Sequence, residues 1–274
     1  AKQAARRGAR SALIESHLAG GDCLNVGCVP SKALLRCARA AREARRGAEF
    51  GVDGAAVAVD FGTVMERMRR LRAHIAPADA HVATAAVGAD VFQGRGVFVG
   101  PHEIEVNGKI LKFRKAVVAT GGRAMVPAVP GLSDAPFTTN SELFNLVTLP
   151  PRMIGLGAGV VALEMAQSFA SFGSNVTVLK RTERLFQSKG GDAEAADIVQ
   201  NSLERDGVTF VTSNIARVET VRPIDPNDPA AHPLMKVHLA NDQVLECECL
   251  LVATGRAPNV CLLYTSPSPR DATL

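Results

Sequence analysis

Cys23 and Cys28 stand with four residues between them in the run GGDCLNVGCVPSKALL, residues 20–35. Thiols at this spacing can exchange electrons, close a structural disulfide, hold half of a metal site, or have no relation to each other. The flanking residues add detail. Pro30 suits the first turn of a helix, where its missing N–H costs nothing. Ser31 to Arg46, rich in Ala, Leu and Arg, reads as that helix. A thiol at a helix N-terminus feels the positive end of the macrodipole, which favours its thiolate. Cys28 is thus the candidate for the stabilised thiolate, and Cys23 for the exposed attacking thiol. Gly27 gives the loop freedom to bring both sulfurs within bonding distance. A zinc site needs four ligands, usually in closer pairs, and no second matching pair exists: Cys247 and Cys249 alternate along a strand-like run, and Cys37 stands alone. No metal ligands are predicted. On spacing alone the redox and structural readings are level.

A second constellation starts at Arg152. Met153 to Leu156 reads as a short strand. Gly157-Ala-Gly159-Val-Val-Ala162 then opens a helix, Val160 to Phe172, and Asn175 to Leu179 is the next strand. Strand, glycine turn and helix in this order are what a dinucleotide fingerprint requires: the glycines allow a tight turn and close approach of a pyrophosphate, which sits on the helix N-terminus. The residue after the second strand separates the coenzymes. An acid there would bond the ribose hydroxyl of NAD, whereas Lys180 and Arg181 would attract the 2′-phosphate of NADP. The expectation is a preference for NADPH, with NADH possible. Near the start, the apolar strand Ser11 to Glu15 ends in an acid, the type that binds a ribose hydroxyl in such folds.

The run from Gly20 to Leu35 resembles the redox-active disulfide segment of the class I pyridine nucleotide–disulfide oxidoreductases, the family of glutathione reductase, dihydrolipoamide dehydrogenase and mercuric reductase. The resemblance covers residues 1–260 and extends to two ATG turns, at Ala119-Thr120-Gly121 and Ala253-Thr254-Gly255. It implies an α/β fold of two Rossmann-like dinucleotide-binding domains: a partial FAD domain, 1–148, carrying the redox disulfide, and an NAD(P) domain, 149–260. It implies FAD and NADP(H) as cofactors, with Glu15 on the adenosine ribose of FAD. Gly21, Lys32, Gly121 and Gly255 would lie by the cofactors. Cys28 would face the flavin, Cys23 would meet the substrate, and Lys32 with Glu164 would form an ion pair near the flavin and nicotinamide. The expected substrate is a small disulfide or a thiol-bound metal ion. The full-length protein would be a homodimer, and the FAD phosphate loop, second FAD segment and dimerisation domain would stand outside this chain, so the piece alone is expected to bind FAD poorly and to be inactive. Family members take their base from a His of the partner's C-terminal domain; none of the six histidines here matches, and no base is assigned. Asp22 departs from the Thr of GGTC members and resembles a mercuric-reductase-like branch. The last stretch, 261–274, resembles the translation of a transposase library adaptor and is expected to be a disordered tail without a role.

The elements that position these residues read as follows. Phe61 to Ile75 is an amphipathic helix, with Pro77 interrupting it and Ala78 to Val87 resuming it. Val91 to Val99 and Glu103 to Lys112 are strands, with Asn107-Gly108 as a hairpin turn. Ala116 to Gly122 reads as a buried strand, Val126 to Gly131 as a linker, Asp192 to Asp206 as a helix, and Val208 to Thr212, Lys236 to Leu239 and Gln243 to Val252 as strands. With 274 residues, 47% of them hydrophobic, the chain can bury one large or two medium cores. No apolar run is long enough for a bilayer, so no membrane partner is expected. A net charge of +4 is too mild to argue for nucleic acid. The basic run from Arg36 to Arg46 reads as a solvated helix face. Reactive paired thiols suit a reducing compartment such as cytoplasm or an organelle matrix or stroma.

Overall fold

A computed structural model of the protein describes residues 1–52, 57–187, 190–228 and 230–260. The expected tail, 261–274, lies outside the described residues. The chain forms two units. One holds Ala1–Asn25, Arg72–Arg123 and the described residues from Ala257 on; the other holds Val26–Leu71 and Ala124–Arg256.

The second unit is built on a four-stranded parallel sheet in the order Cys249–Val252, Arg152–Leu156, Asn175–Lys180, Val208–Thr212. Its central strands are apolar at successive positions, Met153 and Ile154, then Val178 and Leu179, all almost fully buried. Such runs mark a parallel sheet covered on both faces. Helices Val160–Phe172 and Ala193–Arg205 cover one face through Phe169, Phe172, Ala196 and Leu203. An antiparallel sheet of Ile215–Arg222, Leu234–Leu239 and Val244–Cys247 supplies Val218, Met235 and Val237 to the other core. The architecture is Rossmann-type α/β. Helix 193–205 starts at Asp192, whose carboxylate accepts the Ala195 N–H at 2.9 Å. Helix 160–172 stops at Gly173, φ 118, in the left-handed conformation that closes helices.

The redox helix, Cys28–Arg45, belongs to this unit. It buries Ala33, Leu34 and Ala38 in the same core as Phe169, joined by Phe61, Met65 and Met68 of helix Phe61–Asp79. The Phe61 ring lies 5.7 Å from Phe169 and 6.1 Å from Phe172. An apolar helix face goes where it buries most surface, and helices Cys28–Arg45 and Phe61–Asp79 find that surface on helix 160–172.

In the first unit, Ala12–Glu15 pairs in parallel with Asp90–Gln93, with Glu15 opposite Gln93. Val97–Gly100, Glu103–Val106 and Lys109–Lys112 form an antiparallel meander. Asn107 and Gly108 turn its hairpin at φ 51 and 74, both left-handed, as the strand twist demands.

Four expectations change. Residues 115–121 form no ladder and are exposed, with Val117 at 91%; a strand needs a paired neighbour, and none runs along this segment among the described residues. The linker at 126–131 is instead seated on the antiparallel sheet: Val218 donates its N–H to the Pro130 carbonyl at 2.9 Å, and Leu132 is fully buried. Gly131, φ 76, permits this approach, because a Cβ there would stand 2.1 Å from the Val218 carbonyl oxygen. Pro77 does not break its helix, which runs to Asp79. The proline falls in the last turn, where little helix remains for the missing donor to disturb. Strand Ile215–Arg222 was not anticipated, since only Val218 on it is buried and its pattern carries little alternation.

Candidate functional site

Cys28 opens its helix, three residues earlier than composition suggests. Gly27 is the N-cap, and Ser31 donates its N–H to the Gly27 carbonyl at 3.0 Å. The thiol is exposed in the first turn, where the N–H groups of Gly27, Cys28 and Val29 have no intrahelical acceptor. The entry to the helix is held from below. Asn140 Nδ2 donates to the Val26 carbonyl at 3.0 Å, and Asn140 Oδ1 accepts from Arg256 Nη1 at 3.3 Å. Arg256 is the arginine of the second ATG turn, so that motif is tied to the redox segment. Sequence reading missed Asn140; the only signal for it is that Arg256 needs an acceptor.

Cys23, also exposed, lies in the other unit, within a short helix, Gly21–Val26, that was not anticipated. Gly20 and Gly21 start it at φ 91 and 59. A Cβ on Gly20 would meet the Leu24 side chain at 2.4 Å, and Leu24 is buried. Asn25 braces the turn: its Nδ2 donates to the Ala19 carbonyl at 3.1 Å and to that of Gly21 at 2.9 Å, while its own carbonyl accepts from Arg72 at 3.1 Å. Glu15 sits at the C-terminal end of its strand, where open α/β sheets bind ligands. One of its oxygens accepts the His17 N–H at 2.9 Å, which fixes the carboxylate.

Lys32 Nζ reaches Glu164 Oε1 at 2.6 Å, joining the redox helix to the helix that follows the glycine turn. Near the other ends, Arg45 Nη1 donates to the Ser171 carbonyl at 2.7 Å, and Arg42 Nε lies 3.5 Å from Asp206 Oδ2. The two helices therefore run in the same direction, and both positive poles stand at the end carrying Lys32 and Glu164. Arg42 and Arg45, expected in a solvated face, act as cross-helix clamps. Arg36 and Arg39 remain on the exposed face.

The glycine turn fits a dinucleotide. Gly157, φ 102, donates its N–H to the Leu179 carbonyl at 3.1 Å, and a Cβ on it would lie 2.6 Å from the Ala253 carbonyl oxygen. Gly159 caps helix 160–172 and differs: a Cβ there would meet nothing within 4 Å. The open space there is of the kind that close approach of a pyrophosphate to a helix N-terminus requires. Ala162 is buried, at 1%, where the helix passes close to the sheet.

Each ATG turn is held by bonds within its own unit. Gly121, φ 71, accepts the Asn259 N–H on its carbonyl at 3.0 Å, and Asn259 Nδ2 donates to the Thr120 carbonyl at 3.1 Å. Gly255, φ 145, accepts the Met125 N–H at 2.9 Å, and Thr254 Oγ1 donates to the Met125 carbonyl at 2.6 Å.

Lys180 and Arg181 part company. Lys180 is 6% exposed and its ammonium donates inward to the Glu183 carbonyl, whereas Arg181 is exposed. Of the two cations expected to attract a 2′-phosphate, only Arg181 faces outward.

The remaining thiols are of another kind. Cys247 and Cys249 sit in two different strands and are buried; burial pushes the Cys249 thiol up to about 12 and raises the Cys247 thiol as well. Cys37 is half-buried, with Arg67 Nη1 3.7 Å from its sulfur. Among the described residues no cluster of His, Cys, Asp or Glu could hold a metal ion, and no helix is long and apolar enough to cross a membrane.

Comparison with known proteins gives concordant results. The family model described as pyridine nucleotide-disulphide oxidoreductase matches residues 1–271. A mercuric reductase of Staphylococcus aureus is 30% identical over 257 residues, covering 94% of this chain and 46% of that protein. A dihydrolipoyl dehydrogenase of Acholeplasma laidlawii is 32% identical over 215 residues, covering 77% and 63%. Among solved structures, the HOCl-induced flavoprotein disulfide reductase RclA from Escherichia coli, in its Cu(II) complex, superposes with a TM-score of 0.77 at 26% identity, covering 97% of this chain and 56% of RclA. The chain thus spans about half the length of the mercuric reductase and of RclA.

Proposed function

The chain belongs to the pyridine nucleotide-disulphide oxidoreductase family, and from that premise we propose that it carries electrons from NADPH by way of FAD to a Cys23–Cys28 disulfide, and on to a small disulfide or a thiol-bound metal ion such as mercuric ion. The observation that carries this reading is the Lys32–Glu164 pair at 2.6 Å, which sets the redox helix and the glycine-turn helix side by side.

FAD, as members of this family bind it, supplies two-electron transfer between a hydride donor and a thiol pair. The chain's own residues do the rest. The turn from Gly157 to Ala162 binds the pyrophosphate of the coenzyme. Glu164 holds the Lys32 ammonium at one place, where it offsets negative charge gathering on a reduced ring. Cys28, fixed in the first helical turn, is the inner thiol, and Cys23 is the outer one. With the pair reduced, the Cys23 thiolate attacks a substrate sulfur. That forms a mixed disulfide and releases one thiol, which takes up a proton. Cys28 then attacks the Cys23 sulfur, the second substrate thiol leaves, and the Cys23–Cys28 disulfide is restored. Two electrons pass to the substrate in total.

Dihydrolipoamide is the alternative substrate, favoured by the likeness to dihydrolipoyl dehydrogenase. The whole protein is read as a homodimer. Anaerobic titration of the FAD-loaded protein with NADPH is the test. Wild type is expected to show a long-wavelength band from a thiolate beside oxidised flavin, and Cys28→Ser to lack it. A wild type without the band overturns the assigned thiol roles.

A further inference from the structure

Lys180 ends the strand Asn175–Lys180, the strand whose Leu179 carbonyl anchors the Gly157 N–H. A dinucleotide seated on the Gly157–Ala162 turn brings its adenosine ribose to the end of this strand, so the residues just after it choose between a hydroxyl and a 2′-phosphate. A lysine at the strand end would ordinarily be read as a phosphate ligand. Here its stem is buried and its ammonium donates to the Glu183 carbonyl, three residues on, inside the turn.

The turn is closed by further bonds. Thr182 Oγ1 donates to the Arg184 carbonyl at 2.9 Å. Leu185, 2% exposed, anchors the far side in the core. Arg184 Nε lies 3.1 Å from Asp197 Oδ1 and is engaged with helix 193–205. Arg184 is also exposed but paired; Arg181 is exposed and meets no carboxylate among the described residues, so its guanidinium is able to take a phosphate with two parallel N–H bonds.

We propose that Lys180 is a positioning residue for coenzyme choice: it holds the 181–184 turn from inside, so that Arg181 alone contacts the 2′-phosphate. This rests on the NADPH reading of the site. The selectivity of this chain then lies in the shape that Lys180 maintains and in the Arg181 guanidinium that shape presents.

The test is calorimetric binding of 2′,5′-ADP and 5′-AMP to the intact protein, which needs no turnover. Wild type is expected to prefer 2′,5′-ADP. Arg181→Ala should weaken 2′,5′-ADP about ten- to a hundredfold, the range of a lost charge-assisted hydrogen bond, with 5′-AMP unchanged. Lys180→Met should weaken 2′,5′-ADP about tenfold with 5′-AMP unchanged. In the Arg181→Ala background, Lys180→Met should add less than about twofold, because it acts through the residue already removed. A further loss of tenfold in that background makes Lys180 a direct ligand and overturns the proposal. So does a Lys180→Met protein that keeps the full preference. If Lys180→Met also loses 5′-AMP, the turn is read with Thr182→Val, which removes the hydroxyl bonded to the Arg184 carbonyl: a reduced preference for 2′,5′-ADP supports the proposal and an unchanged one overturns it. A wild type with no preference overturns the NADPH reading as well, whereas a preference that ignores Lys180 overturns this inference alone.

Discussion

Lys32 and Glu164 meet at 2.6 Å across 132 positions of sequence, each near the start of one of two helices that run the same way. Two helix N-termini at one end concentrate positive potential there, and Glu164 offsets it while giving the lysine a fixed place. The lysine side chain is 64% exposed, so the pair adds no more than about 1 kcal/mol to stability. Its value is positional.

Glu164→Gln is therefore expected to leave the melting temperature nearly unchanged and to slow flavin reduction by NADPH about a hundredfold, the scale of losing one oriented charge at a reacting centre. Stopped-flow absorbance and thermal denaturation check both halves. A large melting shift with an unchanged rate would make the pair purely structural.

The two glycines of the dinucleotide turn should fail differently. Gly157→Ala forces a side chain into the left-handed region against the Ala253 carbonyl, at about 1–2 kcal/mol for the backbone alone. Gly159→Ala meets only open space and should cost only about 0.5–1 kcal/mol, the loss of a favoured N-cap residue, while NADPH binding falls at least about tenfold. Denaturant unfolding and coenzyme titration of both variants separate folding from binding. Equal stability losses would contradict the assignment.

Native-state alkylation should sort the cysteines. Reduced protein treated with iodoacetamide at pH 8 is expected to label Cys23 and Cys28, both exposed, and to spare Cys247 and Cys249. At pH 8 a thiol held at about 12 has roughly one part in ten thousand as thiolate, and burial bars the reagent besides. Peptide mass spectrometry gives the pattern, and labelling of Cys249 before unfolding would show that the strand opens.

Glu248 carries an acid-sensitive share of stability. Burial alone would raise its carboxyl, but the Arg152 guanidinium outweighs that and holds the group below its ordinary range. A carboxyl lower in the folded state stabilises the fold above its unfolded value, and that share is lost as pH falls through the folded value, a window below about pH 4. Glu248→Gln should cost about 1–3 kcal/mol at neutral pH, and the gap to wild type should close as the medium is acidified. A gap that stays constant down to pH 2 would remove Glu248 from the account.

Much of this was legible in the sequence, because the residues involved answer to local rules. Gly157 to Ala162 lies between a strand and a helix, and the structure has both. Asn107-Gly108 predicts its own turn. Cys28 follows a glycine and precedes a proline that fits a first helical turn. The partnership of Lys32 and Glu164 came from likeness, not from spacing, since nothing local joins positions so far apart. What was not legible depends on neighbours remote in sequence. Asn140 looks like any loop asparagine until Arg256 and Val26 are placed on either side of it. Lys180 looks like a ligand until its stem is seen to be buried. Residues 116–121 carry the composition of a strand, yet a strand exists only through its partner.

The docking of Leu34 against the core around Phe169 has a consequence for biosynthesis. A ribosome adds about 5–20 residues per second, and the helix that receives the redox helix appears some 130 residues later. For on the order of ten seconds the nascent Cys28 helix is without the surface that seats it. Until then its apolar face, with Ala33, Leu34 and Ala38, is open to any other hydrophobic surface, so this stretch of synthesis is where misassociation is most favoured.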